Sequence, residues 1–182
     1  MAYGPDTEKL FAKIAKNSKY LYANDLNITS LPLLPDTIIG IWLNNSKIKR
    51  ITVLPPKLEI LVCEYSSLES LCSLPATLVM LNVAHTNLKE LPELPIKLRS
   101  LNVSGCSFPF LPLMPPSLTD VYCFGNTLVG LKPYCILIRP AIVFCNNLWA
   151  ELQSKKRVCD RVATYKEDLI AKVLGGSCGY GF

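Results

Sequence analysis

Apolar residues recur along most of this chain with a period of twenty and a constant phase. Each copy contains two apolar residues separated by one position, and this alternation is typical of a β-strand with one buried face. The period runs through seven copies without insertion or deletion, which predicts a solenoid of stacked coils. The inward pairs are Leu21 and Ala23, Ile41 and Leu43, Leu61 and Cys63, Leu81 and Val83, Leu101 and Val103, Val121 and Cys123, and Ala141 and Val143.

Proline stands near the start of five successive copies. Because proline fixes φ, lacks an N–H and biases the preceding residue toward extended backbone, it opposes a helix at this point. Twenty residues also leave little room for a helix after a strand and its turn. We therefore expect an extended or polyproline-like return between strands. The prolines are Pro35, Pro55, Pro75, Pro95 and Pro115.

Helical periodicity occurs only outside the repeats. Leu10 and Ile14 lie four residues apart near the N-terminus, after the candidate N-caps Asp6 and Thr7. A second helical pattern follows the repeats and ends before two glycines. We expect both helices to cover the ends of the core, with a separate partner-binding helix as the alternative for the second. The predicted domains are an N-terminal helical cap (1–17), repeats (18–148), a C-terminal capping helix (149–176) and a flexible tail (177–182).

The best copy reads Leu91-Pro92-Glu93-Leu94-Pro95, with Leu98, Leu101 and Val103 following. This resembles the leucine-rich repeat in its twenty-residue form, the class found in bacterial secreted effectors of the YopM and IpaH type. Similar repeats also occur in large DNA viruses. The resemblance implies an α/β fold: a leucine-rich-repeat solenoid with a curved parallel β-sheet, a mostly extended convex side and helical caps at both ends. It further implies a protein-binding module in host cytoplasm.

Two features depart from the family pattern. The asparagine that the family places after each strand is mostly replaced by shorter side chains, at Ser46, Ser66, Thr86 and Cys106. These side chains form fewer hydrogen bonds, so we expect a looser ladder between coils. In the final copy Pro140 precedes the strand interior, and because proline cannot donate to a sheet, we expect this strand to be the last one.

Charge and cysteine usage limit the function classes. The 19 basic and 14 acidic residues give a formal net charge of +5, and the basic residues are scattered, which does not indicate nucleic-acid binding. Of the eight cysteines, Cys63, Cys106 and Cys123 occupy core positions two or three coils apart, roughly 10 to 15 Å, too far to bridge. We expect free thiols in a reducing compartment, the cytoplasm or a host cytoplasm, with a virion as the alternative.

Neither an enzyme nor a membrane protein is predicted. The one histidine, His85, follows a strand beside Thr86 and is interpreted as a rim residue. No copy supplies a nucleophile and a base together, and there is no glycine-rich phosphate loop. No cofactor and no metal are expected. The N-terminus lacks the pattern of a signal peptide, and no apolar run reaches the roughly 18 residues that span a bilayer.

The outward strand side chains are the candidate binding surface. Aromatic residues cluster at both ends of this concave face, with small polar residues between them, and Tyr and Trp are favoured interface anchors. We expect a protein partner to bind here, unless the caps or tail cover the patches. The alternative is a structural component of a larger assembly such as a virion, so the chain is a monomer or part of an assembly. The predicted contact residues are Tyr20, Tyr22, Trp42, Val62, Asn82, Asn102, Tyr122, Phe124, Ile142 and Phe144.

Overall fold

The computed structural model describes residues 4–15, 19–112 and 114–127, together with the backbone of the strand at 142–144. All of them belong to one compact unit, Met1–Cys145. The predicted C-terminal helix (149–176) and tail (177–182) lie outside the described residues.

Each coil contributes one short strand, which pairs in parallel with the strand of the next coil. The sheet has seven strands in the order β1-β2-β4-β6-β7-β8-β9, and β3 and β5 form a second, two-stranded sheet on the return side. Partners lie twenty residues apart as predicted, for example Leu21 opposite Ile41. The elements are α1 Thr7–Ile14, β1 Tyr20–Tyr22, β2 Gly40–Trp42, β3 Arg50–Ile51, β4 Ile60–Val62, β5 Ser70–Leu71, β6 Met80–Asn82, β7 Ser100–Asn102, β8 Asp120–Tyr122 and β9 Ile142–Phe144.

The core consists of stacked columns of apolar side chains. Within residues 21–123, every member of the predicted inward pairs is at most 1% exposed. A further column from the return segment, Ile28, Ile48, Leu68, Leu88 and Phe108, is fully buried. Burying one such side chain contributes roughly 1.5 to 3 kcal/mol. A single coil cannot enclose its own apolar residues, so this stabilisation depends on contact between neighbouring coils.

The return segments are extended, as the prolines predict. In five coils the amide three residues after the proline donates to the proline carbonyl at 3.0 to 3.1 Å, for example Leu78 to Pro75. Because proline has no N–H, its nitrogen leaves no unpaired donor at this site. No helix occurs between residues 19 and 127 where the backbone is described. The solenoid of parallel strands with an extended return is therefore confirmed.

The last strand departs from the twenty-residue register. Val143 lies opposite Val121, and Phe144 lies opposite Tyr122, a step of twenty-two. The prediction of seven copies without an insertion is therefore wrong at its final step. In earlier coils the first strand residue donates to the preceding coil, as Asp120 N does to Arg99 O at 3.1 Å. In a twenty-residue register this position would fall on Pro140, which has no N–H, so Ile142 takes it instead.

Helix α1 is present where the sequence predicts it, and its Leu10 is fully buried. Asp6 makes no N-cap hydrogen bond. Its carboxylate accepts hydrogen bonds from Lys9 Nζ (2.7 Å) and from the amide of Asn27 (2.8 Å), and these two bonds, in that order, lower the pKa of Asp6. Asp6 thus links the helix to the first coil. The capping role of α1 stays a prediction.

The ladder of polar side chains behind the strands varies in strength from coil to coil. Asn126 is buried and makes three hydrogen bonds to backbone: Nδ2 donates to two carbonyls, at 2.8 and 3.0 Å, and Oδ1 accepts from an amide at 2.9 Å. At the equivalent position, Ser66 Oγ donates only to Cys63 O, at 2.9 Å. Ser46 Oγ is buried and has no partner among the described residues. The ladder is looser at positions 46 and 66, as expected.

We expect alanine substitutions in this ladder to follow the number of bonds that each side chain makes. Asn126→Ala removes three hydrogen bonds to backbone groups and should lower the free energy of unfolding by about 2 to 4 kcal/mol, Ser66→Ala by about 1 kcal/mol, and Ser46→Ala by less than about 0.5 kcal/mol. Urea unfolding followed by circular dichroism measures all three. Equal losses at positions 46 and 126 would contradict the ladder.

The buried Cys63 thiol makes the stability of the core depend on pH. Cys63, Cys72 and Cys106 are free thiols, and Cys63 and Cys106 are buried. Burial raises the pKa of the Cys63 thiol from 9.0 to about 12, because the thiolate loses its hydration there. The unfolded chain therefore releases this proton at lower pH than the folded chain, and the stability that the neutral thiol contributes is lost as pH rises above 9.

Replacing Cys63 removes this dependence. Cys63→Val and Cys63→Ala use residues that fill the equivalent position at Val83 and Ala23. Between pH 8 and pH 10 the wild type should lose about 1.4 kcal/mol more free energy of unfolding than either variant. Urea titrations at the two pH values provide the measurement, and an identical pH dependence in all three proteins would refute the prediction.

Candidate binding face

The open side of the seven-stranded sheet is formed by residues that alternate with the inward pairs, because successive strand side chains point to opposite faces. We call this surface the strand face. It consists of three rows in the described coils, each with a spacing of twenty. They are Tyr20, Gly40, Ile60, Met80, Ser100 and Asp120; Tyr22, Trp42, Val62, Asn82, Asn102 and Tyr122; and Asn24, Asn44, Glu64, Ala84, Ser104 and Phe124.

Three of the predicted residues form an aromatic cluster at the first two strands. The rings of Tyr22 and Trp42 stack with centroids 4.7 Å apart, and the Tyr20 ring lies tilted against Trp42 at 6.1 Å. Gly40 provides the space for this packing, since a Cβ there would come within 2.6 Å of the indole. Tyr20 and Tyr22 remain 41% and 54% exposed. The cluster is thus both ordered by mutual packing and accessible.

Val62 does not fit the prediction of an exposed contact residue. It follows Trp42 in the same row but is only 8% exposed. Its partners in the sheet register are Trp42 on one side and Asn82 on the other, and both carry longer side chains. A short valine between them keeps little accessible surface. Val62 therefore separates the aromatic cluster from the polar centre of the face.

The predicted polar centre is present, and backbone hydrogen bonds fix its amides. Asn82 Nδ2 donates to Glu64 Oε1 at 2.7 Å, and its Oδ1 accepts from the amide of Ala84 at 3.2 Å. Asn102 Oδ1 accepts from the amide of Ser104 in the same way, at 3.1 Å. Each amide is therefore held in one orientation before any partner binds.

The second aromatic group differs from its prediction in register. Tyr122 is 37% exposed and Phe124 is partly exposed. Ile142 and Phe144 belong to β9, whose shifted register places them opposite Asp120 and Tyr122, one row away from their predicted positions. Their side chains are outside the described residues. Tyr122 and Phe124 are thus the described members of this group.

A column next to the strand face has a special backbone conformation that the sequence reading missed. The residue after the third row has positive φ in every described coil, between 54° and 67°. Aspartate, asparagine, histidine and glycine tolerate this left-handed region better than other residues. These types recurring every twenty residues are the signal that identifies the column. It consists of Asp25, Asn45, Tyr65, His85, Gly105 and Gly125.

Two rings of this column stack beside the polar centre. The rings of Tyr65 and His85 are nearly parallel, with an interplanar angle of 4° and centroids 4.5 Å apart. The next residue, Gly105, makes room for the imidazole, because a Cβ there would lie 2.5 Å from His85 Nδ1. Together with Glu64 and Tyr122, these groups line an open depression of about 440 Å³, here called the central depression. The sequence predicted only a rim histidine here, without its stack on Tyr65.

Within the described residues, no three His, Cys, Asp or Glu side chains come together as a metal site would require. No helix in that part of the chain is both long and apolar enough to cross a bilayer.

Comparison with protein-family models finds no match, and comparison with curated proteins finds none either. Solved structures do match. YopM from Yersinia enterocolitica WA-314 is 30% identical with a TM-score of 0.59, over 67% of this chain and 27% of the YopM chain. A Shigella effector LRR domain gives a TM-score of 0.65 over 84% of this chain and 83% of its own, and at 21% identity it supports the fold alone.

These similarities agree with the observed coils, their leucine columns and their twenty-residue register. The chain spans only 27% of the YopM chain, so the agreement concerns the repeats. The chain therefore folds as a leucine-rich-repeat solenoid, similar to the repeats of YopM and of the Shigella effector LRR domain.

Proposed function

We propose that this chain is a non-catalytic protein-interaction module that binds a protein partner through the strand face. The observation that carries the proposal is the aromatic cluster, in which Tyr22 is 54% exposed and stacks on Trp42. Exposed apolar patches on soluble proteins mark interaction sites, and Tyr and Trp are enriched among residues that dominate binding energy.

The strand face is also ordered in advance of binding. Its strands are tied to their neighbours by cross-coil amide bonds such as Val83 N to Asn102 O at 2.9 Å. The Trp42 indole packs over Gly40, and the amide of Asn82 is held by two hydrogen bonds. Ordering interface side chains on binding costs about 0.5 to 1.5 kcal/mol each. A face that is already ordered avoids much of this cost.

The comparisons support an effector-like role in the reducing cytoplasm of a host cell. One of the similar structures is the LRR domain of a Shigella effector. The free thiols of Cys63, Cys72 and Cys106 fit a compartment that keeps thiols reduced. The alternative of a structural component of a virion receives no support from these neighbours.

Affinity capture from eukaryotic cell lysate, read by quantitative mass spectrometry, tests the proposal. The test variant is Trp42→Ala with Tyr122→Ala on the strand face. The control is Leu33→Ala with Val53→Ala, two apolar residues on return segments that are 83% and 57% exposed. We expect a protein captured by wild type and control to be lost from the test variant, with Kd raised at least ~10-fold once the partner is purified.

Thermal unfolding of each variant checks that the fold is intact. Capture of the same proteins by all three chains, or loss in the control alone, would exclude the strand face as the binding surface.

A further inference from the structure

The strand face and the left-handed column beside it carry negative charge only, although the whole chain is positive. Between residues 20 and 125 their charged members are Asp25, Glu64 and Asp120, with no lysine or arginine among them. The chain as a whole has 19 basic and 14 acidic residues. Its basic side chains therefore lie elsewhere, and the face complements a positively charged group on a partner.

Glu64 is the acidic residue that lines the central depression. One of its carboxylate oxygens accepts a hydrogen bond from Asn82 Nδ2. The ion pairs found in the described part of the chain are Lys9 with Asp6 and Lys49 with Glu69, and neither involves Glu64. No cation within those residues pairs with the Glu64 carboxylate. This carboxylate can therefore accept hydrogen bonds from a cationic group of a ligand.

Flat π surfaces stand in the same depression. Tyr65 is 60% exposed and stacks on His85, which in turn packs over Gly105. Most residue types avoid the left-handed backbone that positions the Tyr65 ring here, with φ of 54°. A planar cation placed against such rings gains stacking and cation–π attraction.

We propose that the central depression binds an arginine side chain of the protein partner. Its guanidinium pairs with the Glu64 carboxylate, and its plane packs on an outer face of the Tyr65–His85 stack. Arginine fits because it combines a permanent charge, donors without acceptors, and a flat surface. Lysine supplies the charge but not the plane, and Glu64 repels phosphate and carboxylate ligands. This inference rests on the proposed function, since it names the chemistry that the strand face recognises.

Titration of the ¹⁵N-labelled full chain with a small probe tests the proposal by NMR. The probe is N-acetyl-arginine amide, compared with N-acetyl-lysine amide and with N-acetyl-citrulline amide, which has nearly the same shape but no charge. We expect arginine to shift the amide signals of Tyr65, His85 and Gly105. Lysine should bind at least ~5-fold more weakly, and citrulline should give no saturable shift.

Two variants separate the charge from the rings. Glu64→Gln removes the charge while keeping an oxygen that accepts from Asn82 Nδ2, and it should weaken arginine binding at least ~10-fold. Tyr65→Asn keeps a residue suited to positive φ while removing the ring, and it should weaken binding several-fold. The matched control Glu93→Gln removes an exposed carboxylate on a return segment and should leave binding unchanged.

Equal affinity for citrulline, unchanged binding by Glu64→Gln, or arginine-induced shifts confined to other parts of the chain would overturn the proposal. The outcome is distinguishable from failure of the proposed function. If the arginine probe does not bind while Trp42→Ala with Tyr122→Ala still loses its captured protein, the strand face is an interaction surface and the arginine site is wrong.

Discussion

The burial of apolar columns between successive coils is the constraint on which the rest of this structure depends. A strand of three residues is too short to be stable by itself. It persists here because Leu61, for example, is fully buried between Ile41 and Leu81 in the neighbouring strands. Any change of one residue in the register would turn an inward column outward. The additional two residues before β9 preserve this alternation, because Val143 still lies opposite the inward Val121.

The candidate site follows from the same constraint. Because the inward residues are fixed, the residues that alternate with them are displayed in rows on the other side of the sheet. Small residues then decide which rings can lie flat on that side: Gly40 accommodates Trp42, and Gly105 accommodates His85. The aromatic and acidic groups of the strand face are therefore held in place by a core that takes no part in binding.

The period of twenty was sufficient to predict the strands, the extended returns, the buried cysteines and most of the strand face. These features depend on the alternation of side chains and on the missing N–H of proline, both of which are readable from the sequence. The burial of Val62, the unpaired Ser46 hydroxyl and the Tyr65–His85 stack were not predicted. They depend on the sizes and backbone conformations of residues in neighbouring coils, which a pattern of apolar positions does not record.

Native-state amide hydrogen exchange measures the stacking of coils, because each of three strands is followed by an amide that donates to the next coil. The amides of Leu43, Cys63 and Val83 make such bonds at 2.8, 2.8 and 2.9 Å. We expect these three amides to exchange at similar rates, among the slowest in the described coils. The amide of the exposed turn residue Lys97 should exchange rapidly. Exchange of the three cross-coil amides at the rate of Lys97 would contradict the stacking of coils.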